Sequence, residues 1–122
     1  MSTGILIAED EDDIREMLAF KFGRQYDVTA VEDGRACWEY LEDHAEDPPA
    51  VVLLDVMMAG LDGFRVLDKI ADDERFDDVD VVMLTSRGAE ADVDAALDRG
   101  ATDYVTKPFS PDDLRDRVDE LV

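Results

Sequence analysis

Residues 50–64 read AVVLLDVMMAGLDGF. Four branched apolar residues, Val51 to Leu54, run without a polar break into a carboxylate, Asp55. A half-exposed strand would alternate apolar with polar. An unbroken run of this length predicts a strand covered on both faces. Ile5-Leu6-Ile7-Ala8, Val81-Val82-Met83-Leu84 and the shorter Tyr104-Val105 have the same character. A fifth run, Val28-Thr29-Ala30-Val31, is flanked by charges and is the least buried of the set by pattern.

Helix-period segments lie between these runs. Ile14, Met17, Leu18 and Phe22 fall on one face at i, i+3, i+4 and i+8. Cys37, Tyr40 and Leu41 repeat the pattern, and so do Phe64 and Leu67, with Ile70 and Ala71 more weakly. Val93, Ala96 and Leu97 follow, with Gly100 placed as a helix stop. Leu114, Val118, Leu121 and Val122 come after Ser110-Pro111, a helix start. Five strands alternating with five helices predict an α/β protein: a parallel sheet with helices on both faces. Right-handed crossovers leave a few doubly wound strand orders. In such sheets the sites lie beyond the carboxyl ends of the strands.

Length and composition set the outer bounds. A chain of 122 residues predicts one domain spanning 1–122. With 33 Asp and Glu against 12 Lys and Arg, the net charge is −21. Lys occurs only at Lys21, Lys69 and Lys107. Such an Asp-rich, Lys-poor surface resembles proteins of extreme halophiles, where salt screens self-repulsion. It argues against direct nucleic-acid binding, because phosphate contacts need cations. The single Cys37 excludes a disulfide-built scaffold. No apolar run approaches the ~18 residues that span a bilayer. A soluble, cytoplasmic protein is the expectation, with no membrane partner.

The strand ends carry the chemistry. Glu9-Asp10-Glu11-Asp12-Asp13 follows the first strand, Asp55 ends the third, Thr85-Ser86 the fourth, and Thr106-Lys107-Pro108-Phe109 the fifth. Carboxylates fill about one position in four, so a lone Asp at a strand end means little. Asp12 and Asp13 are best read as an acidic first turn of helix, favoured by the macrodipole. Asp55 weighs more, because a carboxylate closing a buried run needs a partner or a metal. Lys107 weighs most, as one of three lysines. Thr85, taken alone, is an ordinary strand residue. Together, several carboxylates at one crevice require a cation between them. Hard oxygen ligands suit Mg²⁺, which keeps waters for a phosphate oxygen. A carboxylate facing that metal can attack phosphorus to give an aspartyl phosphate. Lys107, Thr85 and backbone N–H groups after Asp55 and Thr85 would steady the transferring oxygens.

Four stretches in this order, ILIAEDEDDIREML, VVLLDVMMAGLDGF, VVMLTSRG and GATDYVTKPFSPDDL, resemble the receiver domain of two-component response regulators. The resemblance runs from residue 5 to residue 114. It implies a flavodoxin-like (βα)5 fold with strand order 2-1-3-4-5. It implies Asp55 as phosphoacceptor, and Glu9, Asp10, Asp55 and the backbone carbonyl of Met57 as ligands of Mg²⁺ or another divalent cation. It implies Thr85 as the switch hydroxyl, Lys107 as its companion cation, Tyr104 as the aromatic that follows Thr85 inward, and a cis peptide at Lys107-Pro108. Glu9 stands where Asp is commoner, which implies action through water. Ala59 stands for a usual Pro, and Ser86 for a small apolar residue. Met57 and Arg87 match positions that tune dephosphorylation.

The implied function is a phosphorylation-activated switch, not a metabolic enzyme, catalysing only its own phosphorylation and dephosphorylation. A histidine kinase is the implied donor. An output domain or downstream protein would read the face of helix 4, strand 5 and helix 5, and a phosphorylation-dependent homodimer could use the same face. Other readings fit less well. A haloacid-dehalogenase-type phosphohydrolase would want Asp at position 57, which is Met57. A flavodoxin would want a Ser/Thr/Gly loop where Glu9 to Asp13 stand. Dinucleotide and P-loop glycine patterns are missing. A receiver that no longer takes phosphate is opposed by intact Asp55, Asp10, Thr85 and Lys107.

Overall fold

The computed structural model describes residues 3–58, 61–85 and 90–122. Five strands, β1 (Gly4–Ala8), β2 (Asp27–Val31), β3 (Val51–Asp55), β4 (Asp80–Thr85) and β5 (Asp103–Thr106), alternate with five helices. The helices are α1 (Asp12–Phe22), α2 (Gly34–Asp43), α3 (Gly63–Ala71), α4 (Glu90–Asp98) and α5 (Pro111–Leu121). A short 3₁₀ turn, Glu74–Phe76, precedes β4. The strands form one parallel sheet in the order β2-β1-β3-β4-β5. The doubly wound fold and the 2-1-3-4-5 order expected from the sequence are both present.

β3 is buried at all five positions, Asp55 included, because it sits in the middle of the sheet with helices on both sides. β2 is at an edge, which explains its charged flanks and partial exposure. Side chains alternate between faces with period two. Ile5, Ile7, Val51, Leu53, Val82 and Leu84 pack against Leu18 and Phe22 of α1 and Leu114 and Val118 of α5. Leu6, Ala8, Val52, Leu54, Val81 and Met83 pack against α2, α3 and Ala96 of α4.

Local chemistry ends the elements where expected. Asp33, Asp62 and Ser110 cap the N-termini of α2, α3 and α5 through side-chain oxygens that accept from Ala36, Arg65 and Asp113 N–H. Asp12 and Asp13 occupy the first turn of α1. Gly100 takes φ +104°, a left-handed conformation suited to the stop after α4.

Four residues predicted on buried faces are exposed instead: Met17, Ala71, Leu97 and Val122. Met17 and Leu97 lie at the margins of their apolar stripes, where the neighbouring Leu18 and Ala96 take the position against the sheet. Val122 lies beyond the last turn of α5. Ala59, Ser86 and Arg87, which the sequence singled out, lie outside the described residues. Among the described residues no helix is long and apolar enough to cross a membrane.

Candidate functional site

The parallel register brings four strand ends to one edge of the sheet. Ala8 pairs with Leu54, Asp55 with Leu84, and Thr85 with Thr106. Glu9, Asp55, Thr85 and Lys107 therefore leave the sheet side by side, although Asp55 and Lys107 are 52 positions apart in the chain. The α3 N-terminus closes against this edge. A Cβ on Gly63 would lie 2.2 Å from the Asp55 carbonyl oxygen, so only glycine permits that approach.

Asp55 is buried. Its Oδ1 accepts from the Met57 N–H at 3.3 Å, and its Oδ2 accepts from Lys107 Nζ at 3.3 Å. Glu9 is wholly buried, and its Oε2 accepts from the Glu11 N–H at 3.2 Å. Lys107 Nζ also lies 2.5 Å from Glu9 Oε1, as an ion pair. The ammonium thus stands between two carboxylates. Lys107 is held by its own backbone, whose N–H donates to the Thr85 carbonyl at 2.6 Å, and by a cis bond to Pro108. Thr85 is buried at the end of β4, and Tyr104 is partly buried on the neighbouring β5, opposite Met83.

The two buried carboxyls respond in opposite directions. Burial, then hydrogen bonding and repulsion from Glu9, push the Asp55 carboxyl up to about 7. Burial pushes Glu9 up as well, but contacts with Lys107, Asp55 and the Glu11 N–H outweigh it and leave Glu9 below its ordinary value. Lys107 loses some stability as an ammonium through burial. Its contacts with Glu9 and Asp55 more than restore it and hold its pKa above the ordinary value.

Carboxylate oxygens of Glu9, Asp10 and Asp55 lie within 4.8 Å of one another. Three anionic groups this close, two of them buried, fit a small hard cation. The sequence reading passed over one contributor. Arg15 Nη1 donates to the Glu9 carbonyl at 3.1 Å and Nη2 to Asp12 Oδ1 at 2.5 Å. Its only sequence signal is that it is the first cation after five consecutive carboxylates. A groove of about 620 Å³ between α1 and α5, lined by Phe20, Lys21 and Arg115 among others, contains none of the site residues.

Residues 5–119 match the family model of the response regulator receiver domain. The transcriptional regulatory protein CseB of Streptomyces coelicolor is 43% identical over 108 residues, 88% of this chain and 44% of that protein. The phosphate regulon transcriptional regulatory protein PhoB of Escherichia coli is 38% identical over 119 residues, 97% of this chain and 51% of that protein. The chain thus spans about half the length of these curated relatives or less. The receiver domain of Francisella response regulator 1452 superposes with a TM-score of 0.86 at 29% identity, covering 98% of this chain and 95% of that one.

Proposed function

The chain belongs to the response regulator receiver domain family, and from that premise we propose how its own residues make the switch. Members of this family are signalling switches of two-component systems, not metabolic enzymes. Here Asp55 is the proposed phosphoacceptor. Glu9, Asp10, Asp55 and the Met57 backbone carbonyl are the proposed holders of a divalent cation, Mg²⁺ by the hardness of the oxygens. The observation that carries this reading is the convergence of three carboxylates within 4.8 Å around a strand-end lysine.

When bound, the cation would relieve repulsion among the carboxylates and draw charge from a phosphoryl oxygen. An Asp55 oxygen attacks the phosphorus of a kinase phosphohistidine. The new P–O bond forms as the P–N bond breaks, and the electron pair stays on the imidazole nitrogen. Lys107 Nζ, already 3.3 Å from Asp55 Oδ2, faces the transferred oxygens. The Thr85 hydroxyl then closes on the phosphoryl group and Tyr104 follows it inward. That biases the surface of α4, β5 and α5 toward an output domain or a downstream protein, or toward a second copy. Direct nucleic-acid binding is not part of the proposed role of this domain.

A small acyl phosphate with Mg²⁺, followed by intact mass, tests this. The wild-type chain should gain one phosphoryl group and Asp55→Asn none. No gain in the wild type, or an equal gain in Asp55→Asn, defeats the assignment. Light scattering on the same phosphorylated sample should show a doubled mass if the proposed homodimer forms.

The charge of −21 supports a separate proposal, that this acidic chain is adapted to high salt. Its melting temperature should fall on dilution from molar salt to about 0.1 M, where screening reaches ~10 Å. A melt that is unchanged or higher at low salt removes this proposal and leaves the switch untouched.

A further inference from the structure

The run from Glu9 to Asp13 places five carboxylates on consecutive residues. Left to itself, such a segment spreads, because each charge repels its neighbours. One side chain grips it. The Arg15 guanidinium uses two different nitrogens for two separate points: Nη1 on the Glu9 backbone carbonyl and Nη2 on the Asp12 carboxylate. These points flank Asp10. The carbonyl of Glu9 belongs to the peptide that leads into Asp10, so holding it sets the direction in which Asp10 leaves β1. The Arg15 side chain is 18% exposed and is anchored in α1, where its own N–H donates to the Glu11 carbonyl.

We propose that Arg15 is a positioning residue for the divalent-cation site, fixing Asp10 against Glu9 and Asp55 by straddling it. This inference rests on the cation reading given above. Arg15 bonds the Glu9 carbonyl and Asp12 and is not itself proposed as a ligand of the cation. Its contribution is geometric, and the fork is what supplies it. A lysine carries the same charge but is a single-point donor, and cannot bridge a carbonyl and a carboxylate as a planar guanidinium does. Mg²⁺ demands near-ideal octahedral geometry, so a loosened ligand loop weakens it directly.

The sign of the effect separates this role from simple electrostatics. Arg15 is a positive charge beside a cation site. By Coulomb's law alone, removing it tightens Mg²⁺ binding. Positioning predicts the reverse. Calorimetric titration of the full chain with Mg²⁺, at constant ionic strength, should give Kd values about tenfold weaker for both Arg15→Met and Arg15→Lys, the scale seen when outer-shell partners of metal ligands are removed. Metal-free thermal melts accompany each titration, and Arg15→Lys decides the matter if Arg15→Met does not fold. Mg²⁺ binding by Arg15→Lys as tight as wild type, or tighter binding by Arg15→Met, overturns the inference. Failure of the wild type to bind Mg²⁺ overturns the cation site itself, a distinct result.

Discussion

The two faces of the sheet are held to different degrees. On one face α1 and α5 bury Leu18, Phe22, Leu114 and Val118 against β1, β3, β4 and β5. Lys21 of α1 contacts Asp112 of α5, and Tyr26, in the turn after α1, contacts Asp119 of α5. On the other face α2 and α3 are well buried, whereas the described side chains of α4 are mostly exposed or half-buried. Among its described side chains only Ala96 is buried, and Leu97 is 44% exposed. Its end is fastened by Arg99, which reaches Asp68 at 3.8 Å and lies over the Phe64 ring at 4.8 Å.

The site residues divide between these faces by strand parity. Glu9 continues the line of Ile5 and Ile7, Asp55 that of Val51 and Leu53, and Lys107 that of Val105, all on the α1/α5 face. Thr85 continues Val81 and Met83, on the face that carries α4. The carboxylates and the ammonium thus extend from the firmly packed side, and the Thr85 hydroxyl, the proposed switch, from the side of α4. A clamp must keep its geometry, whereas a reporter must have somewhere to move. Segments with few buried apolar contacts are the ones that shift at low free-energy cost.

Truncating the same residue type on each face tests the contrast most strongly. Leu18→Ala should cost about 3–4 kcal/mol in denaturant unfolding, as expected for a fully buried leucine. Lys107→Met comes next. In metal-free protein near pH 8 it should cost about 2 kcal/mol, below the usual loss for a broken buried pair because the stranded carboxyls can protonate. The pH sense follows from Asp55. Its folded pKa, about 7, lies above the unfolded value of 3.8, so the protein loses stability as pH rises between these values. Without Lys107 the Asp55 value rises further and Glu9 loses a contact that lowers its own, so the decline extends to higher pH. The Lys107→Met deficit should therefore shrink near pH 5.5, and a deficit independent of pH would show that Lys107 is not compensating these carboxylates. Leu97→Ala is the smallest effect, within about 0.5 kcal/mol, as for most surface changes. A loss there rivalling that at Leu18 would erase the difference between the faces.

Much of this was readable along the chain. The runs at Ile5, Val51 and Val81 predict buried strands because a strand covered on both faces has no polar face to show, and that rule is local. The candidate acceptor followed from the same logic, since Asp55 is the point where such a run meets a charge. The stripe margins were not readable. Met17 and Leu18 are adjacent and both apolar, and only the placement of α1 on the sheet buries one and exposes the other. Arg15 was missed because its fork reaches a backbone carbonyl, a group every residue carries and no pattern marks.

By itself, then, the sequence determined the alternation of strands and helices, the partial exposure of β2, and the set of strand-end groups proposed to handle a phosphoryl group. Those are properties of neighbours within a few residues, where period, capping and burial pattern are written directly. The tertiary structure alone decided that the carboxyls of Glu9 and Asp55 shift in opposite directions around one ammonium, and that Arg15 bonds both the Glu9 carbonyl and Asp12. Such effects depend on Coulomb and desolvation terms across ångströms of space, and Lys107 comes within 3.3 Å of Asp55 only after 52 residues of chain have folded back.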